Sequence, residues 1–197
     1  MTQTQHVLAL AAEKGLISGA DLKPYGLPGS LLNRLHAEGK LMKVARGMYM
    51  LSDHDVDPWL DFAIAAKRYP HGVIALLSAL AFHGLTTQSP HQVWMAVRYG
   101  QMPRLRDRGM RFVTMSGEAF EAGVETHIIE SVPVKITNPA KTVADCFKFR
   151  NRVGLDVALE AYRDFERQGG DIEALWRYAK IDRVERVMRP YLVGMGV

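Results

Sequence analysis

The sequence predicts an α+β fold, because helical and β-prone patterns occupy separate stretches of the chain. A helix-turn-helix pattern followed by a hairpin lies within residues 15–51. Runs rich in β-branched and aromatic residues lie between residues 93 and 136, and helical patterns return from residue 138 onward. With 197 residues, 48% of them hydrophobic, the chain can build one or two domains with their own cores.

The segment 15–51 has the capping and turn residues expected of a winged helix-turn-helix. Ser18 can cap a short helix, and the prolines and glycines that follow predict a turn. Pro28 is expected in the first turn of a second helix that ends near Glu38, where Gly39 can supply a left-handed residue. The second helix has a narrow apolar stripe, formed by Leu31, Leu32 and Leu35.

Two short β-prone runs follow the second helix, at residues 41–44 and 48–51, with residues 45–47 as a hairpin tip. Such a hairpin is typical of the wing of a DNA-binding domain. Residues 1–51 carry six cationic and three acidic side chains, so most of the chain's net charge of +4 lies there, as phosphate binding requires. The alternative is a helix-hairpin module that binds another protein.

A polar stretch from Ser52 to Pro58 predicts a linker and a helix start. We therefore expect a winged helix-turn-helix domain over residues 1–57 and an α+β domain over residues 58–197. The alternating aspartates of this stretch also suggest a calcium loop. That interpretation fails because Pro58 stands where such a loop needs glycine, and no glutamate closes a loop of twelve residues.

The remaining pattern predicts the second domain element by element. Two helices are expected between Trp59 and Leu85, with Ile74 inside the apolar second helix. Strands are expected at residues 93–97 and 111–115, and a hairpin over Glu130 and Ser131 at residues 127–136. Asn138 can cap a helix that begins with proline, and further helical patterns follow it.

The sequence offers no recognisable enzymatic site. Phosphate-loop and nucleophile-elbow motifs are absent, Pro133 occupies the position where a nuclease motif ending at Lys135 would need an acid, and the histidines are not spaced as metal ligands. Cys146 is the single cysteine, so no internal disulfide forms. No apolar run is long enough to span a membrane and the N-terminus does not read as a signal peptide. We therefore expect a cytoplasmic protein without enzymatic activity or cofactor.

Three motifs, taken in order, resemble the AbiEi family of antitoxins from type IV toxin-antitoxin systems. They are the glycine-bounded helix-turn-helix with its RGMY wing, the run SALAFHGL at residues 78–85, and NPAKTVADC at residues 138–146. The resemblance implies an N-terminal winged helix that represses its own operon by binding inverted repeats of operator DNA. It also implies a C-terminal antitoxin domain that counters a nucleotidyltransferase-like toxin without forming a stable complex.

Within this interpretation the basic segment supplies the DNA contacts. The second helix would present polar groups to the major groove, the wing would reach phosphate or the minor groove, and the turn would hold the backbone. The predicted contact residues are Lys23, Tyr25, Ser30, Asn33, Arg34, Ala37, Lys43 and Arg46. For Arg34 the alternative is a surface salt bridge to Glu38, four residues on. Because one winged helix offers a small surface, two copies, as in a dimer, are expected on repeated half-sites.

Two further sets of residues are candidates in the second domain. The arginines between residues 98 and 111, which surround Asp107, predict a solvated loop or a second nucleic-acid surface. In NPAKTVADC, the polar residues Lys141, Thr142 and Asp145 are candidates for a role in the fold or in antitoxin action. Two other functions stay open at this point: a transcription factor whose second domain senses a ligand or dimerises, and an enzyme of unrecognised type.

Overall fold

The computed structural model describes residues 2–104 and 108–194. The chain divides into two compact units. The first contains the chain up to Pro70 together with Ile128–Val134, and the second contains His71–His127 and the chain from Lys135 onward. Arg106 and Asp107, which belong to the arginine-rich run, lie outside the described residues.

The first unit combines helices with a small antiparallel sheet in the strand order β1-β3-β2. A 3-10 turn over Lys23–Tyr25 connects the second helix to the third. The helices and strands are α1 (Gln3–Lys14), β1 (Ile17–Ser18), α2 (Gly19–Leu22), α3 (Ser30–Ala37), β2 (Leu41–Ala45), β3 (Met48–Leu51) and α4 (Leu60–Arg68).

The helix-turn-helix and the wing form as the sequence predicts, apart from one boundary. Ser18 caps α2, and Gly39 has a φ of 72° directly after α3 and its cap. The expectation that Pro28 lies in the first turn of α3 is wrong. Its carbonyl instead accepts the Leu31 amide at 3.1 Å, a tight bond of the 3-10 type, so the proline lies in the turn before the helix begins at Ser30.

Helix α1 and strand β1 were not predicted from the sequence. Thr2 caps α1 through a reciprocal pair of bonds with Gln5, at 3.2 Å and 2.9 Å. The core of the unit therefore includes one face of α1 beside the leucine stripe of α3, and its buried members are Val7, Leu10, Ala11, Ile17, Leu22, Leu31, Leu32, Leu35, Leu41 and Tyr49. The leucine stripe is thus confirmed as a core-facing surface.

The tip of a later hairpin, residues 128–134, completes the first unit. The Glu130 carboxylate accepts the Asp57 amide at 2.7 Å and lies 2.6 Å from Nε2 of His54. Gly15, with a φ of 61°, approaches the same turn so closely that a Cβ there would lie 2.6 Å from the Glu130 carbonyl oxygen. Only glycine fits at this position without displacing backbone.

The second unit is built on a five-stranded sheet in the order β6-β5-β4-β8-β7, with helices packed against it. Strand β4 is antiparallel to β5 and parallel to β8, and β5 is parallel to β6. The elements are β4 (Val73–Ile74), α5 (Leu76–Phe82), β5 (Val93–Arg98), β6 (Met110–Met115), α6 (Glu118–Glu121), β7 (Val124–Ile129), β8 (Val132–Thr137), α7 (Pro139–Lys148), α8 (Arg150–Val153), α9 (Leu155–Arg167), α10 (Ile172–Ile181) and α11 (Glu185–Gly194).

Most predicted elements of this unit are confirmed, with two differences. Strand β7 begins at Val124, three residues earlier than expected, although the turn at Glu130 and Ser131 is correct. Ile74 lies in a strand and not in a helix, where it pairs with Met95. A short apolar run does not distinguish a buried strand from a buried helix, which explains the error.

Helix α7 lies at the centre of the second unit, in contact with α5, α9 and α10. Asn138 caps it as predicted, with its side chain accepting the Lys141 amide at 2.9 Å. Ser78 on α5 accepts the Trp94 amide at 2.9 Å and so ties that helix to β5. Every residue of α7 from Ala140 to Phe147 is buried, so polar members of this helix must find partners inside the protein.

Candidate nucleic-acid interface

The exposed side of α3 carries the residues that the sequence assigns to base contacts. The three leucines of the helix face the core, and this leaves Ser30, Asn33, Arg34 and Ala37 exposed. The same holds for the residues assigned to the turn and the wing. All eight predicted contact residues are thus solvent-exposed: Lys23, Tyr25, Ser30, Asn33, Arg34, Ala37, Lys43 and Arg46.

Asn33 is held by Tyr49, which is not among the residues predicted from the sequence to contact DNA. The Tyr49 hydroxyl donates to Asn33 Oδ1 at 2.6 Å. Tyr49 lies in β3, the central strand of the small sheet, and the residue is only 3% exposed. The run Met48–Leu51 predicts a strand, but it carries no signal for this long-range bond.

Arg34 has two neighbours in the first unit. Its guanidinium donates to the Thr4 hydroxyl at 3.2 Å and lies 3.6 Å from the Glu38 carboxylate. The surface salt bridge considered as the alternative is therefore present. Lys40 also bonds Glu38, at 2.7 Å, and this bond lowers the pKa of the Glu38 carboxyl. Arg34 remains about half exposed, and an exposed pair of this kind is weak enough to exchange for a DNA contact.

The wing carries two exposed cations. Lys43 and Arg46 lie on β2 and at the hairpin tip, and an irregularity in the strand register between Lys43 and Ala45 bends the hairpin there. Within residues 2–104 and 108–194, no ion pair involves either side chain. Unpaired cations on a narrow hairpin suit contact with phosphate, because no internal bridge has to be broken first.

The turn before α3 is supported from α1 and α2. The Tyr25 ring packs edge-on against His6, with ring centroids 4.7 Å apart. The Asp21 carboxylate accepts from both the amide and the hydroxyl of Ser18, at 2.8 Å each, and pairs with Lys67 of α4 at 2.9 Å. Burial acts to raise the pKa of Asp21, but the bonds from Lys67 and Ser18 outweigh it and lower that pKa. These contacts fix the orientation of α2.

The polar residues predicted as candidates in the second unit lie in its interior. Lys141 and Asp145 are fully buried and form an ion pair one turn apart on α7. Lys141 also reaches Asp182 at 3.2 Å, and Lys148 bonds Asp182 at 3.0 Å. We name these four residues the α7–α10 charge cluster, since Asp182 caps the C-terminus of α10. Thr142 is equally buried and bonds the Thr137 hydroxyl at 2.7 Å.

The electrostatics of this cluster follow from burial. Desolvation, together with the neighbouring Asp182, raises the pKa of Asp145 from 3.8 to about 8, although Lys141 acts to lower it. For Lys141, desolvation acts to lower the pKa, but the two carboxyls outweigh it and raise that pKa. Asp145 Oδ2 has no hydrogen-bond partner in the described part of the chain. One buried ammonium therefore faces two carboxyls, of which one readily keeps its proton.

The arginine-rich run is only partly described. Arg98 bonds Glu121 at 2.6 Å and lies over the Phe120 ring, and Arg111 lies over the Trp94 ring at 4.6 Å. These two arginines have partners inside the second unit, although Arg111, like Arg104 and Arg108, is exposed. A second nucleic-acid surface here stays a prediction.

Among the described residues, no group of three His, Cys, Asp or Glu side chains is placed to hold a metal ion.

His83 caps the C-terminus of α5, with Nε2 2.7 Å from the Thr137 carbonyl oxygen, and burial lowers the pKa of its imidazole. Among the described helices, none is both long and apolar enough to cross a membrane.

Comparison with known proteins identifies the segment that carries the exposed helix and wing. The family model described as "Transcriptional regulator, AbiEi antitoxin" matches residues 5–52. The resemblance to the AbiEi family is confirmed for this segment. The match runs from α1 through β3, and it supports a DNA-binding antitoxin. No curated protein matches the chain.

Among solved structures, the chain is similar to the crystal structure of the RV2827C protein from Mycobacterium tuberculosis. The TM-score is 0.61 at 15% sequence identity, and the similarity covers 91% of this chain and 72% of that chain. At this identity the likeness concerns the fold alone. It extends over both units, whereas the AbiEi match is limited to the first.

Proposed function

We propose that this protein is the antitoxin of a type IV toxin-antitoxin system, which represses its own operon by binding inverted repeats and counters a nucleotidyltransferase-like toxin without a stable complex. The observation that carries the proposal is the joint exposure of the eight predicted contact residues on an AbiEi-matched segment. Helix α3 enters the major groove, and the wing contacts the backbone beside it.

The second unit acts in this proposal by binding and not by catalysis. Its two charged candidates on α7, Lys141 and Asp145, are wholly inside the protein, where no substrate reaches them. Their role is to hold α7 against α10, and antitoxin action then belongs to the outer surface of the unit. The protein works as two copies on repeated half-sites, because one winged helix makes few base contacts.

Binding of the full-length protein to its own upstream region tests the autorepressor. We expect binding at least about 1,000-fold tighter than to random DNA of equal length at physiological salt, as for specific regulators generally. The measurement is a titration of both duplexes at several salt concentrations. Equal affinity for the two duplexes would reject autorepression and leave a role for the segment in protein binding.

A separate prediction concerns the contact between the wing and DNA. Arg46→Ala should weaken binding to operator and random DNA by similar factors and reduce the salt slope of log K by about one, because it removes one phosphate contact. Arg163→Ala, which removes an exposed arginine from α9, is the matched control and should leave both quantities unchanged. An unchanged slope for Arg46→Ala would mean that the hairpin does not contact DNA.

Repression and toxin protection should separate in the full-length chain. The double variant Asn33→Ala with Arg46→Ala should lose repression of an operon reporter, because base and phosphate contacts are both removed. Expressed from an unrelated promoter, the same variant should still protect cells from the cognate toxin as well as the wild type does. Loss of protection by a stably folded double variant would mean that the antitoxin effect requires DNA binding.

A further inference from the structure

Asn33 needs a fixed side-chain orientation to read a base. An exposed asparagine turns freely about its terminal torsion, so its carbonyl and amino groups exchange places at little cost. Reading a base edge requires one of those two orientations, and ordering a side chain only on binding reduces affinity. A residue that sets the orientation beforehand would therefore act on specificity without touching DNA.

Tyr49 is placed to set that orientation. Its hydroxyl donates to Asn33 Oδ1 at 2.6 Å across 16 positions of sequence. The tyrosine itself cannot move far, because β3 pairs it with Ile17 on one side and Lys43 on the other. Its ring also packs edge-on against His36 of α3, with centroids 6.1 Å apart, and His36 Nδ1 lies 2.9 Å from the Leu41 carbonyl oxygen.

We propose that Tyr49 is a positioning residue that orients the Asn33 amide for reading base edges in the major groove, an inference that rests on the proposed DNA-binding function. With Oδ1 held by the tyrosine, the two Nδ2 protons are the groups left to donate; among the described residues they have no acceptor. They match the acceptors that purines present in the groove, N7 above all. The bond also joins α3 to β3.

A double-mutant cycle on the full-length protein tests this. The variants are Tyr49→Phe, Asn33→Ala and both together, measured on one duplex carrying the upstream operator and one random duplex of equal length. Tyr49→Phe keeps the buried ring and removes only the hydroxyl. We expect it to weaken operator binding about fivefold, the worth of one hydrogen bond, and to leave random DNA and the salt slope unchanged. In the Asn33→Ala background the same substitution should have no effect.

The outcomes separate the two levels of the proposal. Tyr191→Phe, in the second unit, controls for the loss of a tyrosine hydroxyl and should bind like the wild type. Suppose that the wild type prefers the operator. Tyr49 then has no positioning role if Tyr49→Phe keeps the full preference, or if it weakens binding to random DNA as much as binding to the operator. The same conclusion follows if Tyr49→Phe weakens operator binding equally in the Asn33→Ala background. If the wild type binds both duplexes alike, the DNA-binding function fails, and this inference fails with it.

Discussion

Lys141→Met should destabilise the second unit by about 3–5 kcal/mol, the loss typical when one partner of a buried ion pair is removed. The methionine fills a similar volume, so the effect comes from charge. Asp145 and Asp182, fully or nearly fully buried, would be left with Lys148 alone, which reaches only Asp182. Urea unfolding followed by circular dichroism measures the change.

Lys180→Met is the matched control for this substitution. Lys180 is exposed on α10, two residues before Asp182, and its loss should change the free energy of unfolding by less than about 0.5 kcal/mol. A Lys141→Met protein as stable as this control would show that the cluster contributes nothing to the attachment of α7 to α10. Operator binding, which the proposed function assigns to the first unit, should survive where the variant remains folded.

The stability of the protein should fall between about pH 5 and pH 8, and Asp145 should account for much of that fall. Its pKa is about 8 in the folded protein and 3.8 ordinarily, so between these values the native state binds a proton that the unfolded chain has lost. The free energy of unfolding then decreases as pH rises, by up to about 1.4 kcal/mol per pH unit. Below pH 4 both states hold the proton and the contribution is fully present.

Asp145→Asn removes this proton and should flatten the dependence. The amide stays neutral at every pH and still accepts a hydrogen bond from Lys141, which keeps Asp182 as its counter-ion. Unfolding free energies at pH 5, 6, 7 and 8 give the slope for each protein. Asp53→Asn, at an exposed carboxylate, controls for the lost charge. Parallel slopes for wild type and Asp145→Asn would assign the pH dependence to other groups.

The parts of the fold that the sequence predicted are those set by local signals, namely helix caps, turn residues and apolar periodicity. The leucine stripe, Gly39 and Asn138 each act within one helix or at its ends, so a short window of sequence is enough to read them. Helix α1 was missed because its buried residues Val7, Leu10 and Ala11 form only a weak stripe. Strand β1 has two residues, too few for any periodicity to appear.

For the candidate site too, local features could be predicted from the sequence and long-range contacts could not. Exposure of Asn33, Arg34 and Ala37 follows from helix periodicity, because the leucine stripe of α3 leaves them on its other faces. Their partners could not be predicted, because each comes from a distant position: Tyr49 for Asn33, and Thr4 for Arg34. The burial of Lys141 was likewise invisible, since its counter-ion Asp182 lies 41 residues away.

The hairpin turn around Glu130 has a consequence for how the chain matures during synthesis. The first unit holds residues 128–134, so the ribosome must produce about two thirds of the protein before that unit acquires its last contacts. Until then Gly15, the His54 imidazole and the Asp57 amide lack the partner that Glu130 supplies. The nascent first unit is therefore incomplete while the strands before this turn emerge, and it acquires its full set of contacts only after most of the five-stranded sheet of the second unit has been made.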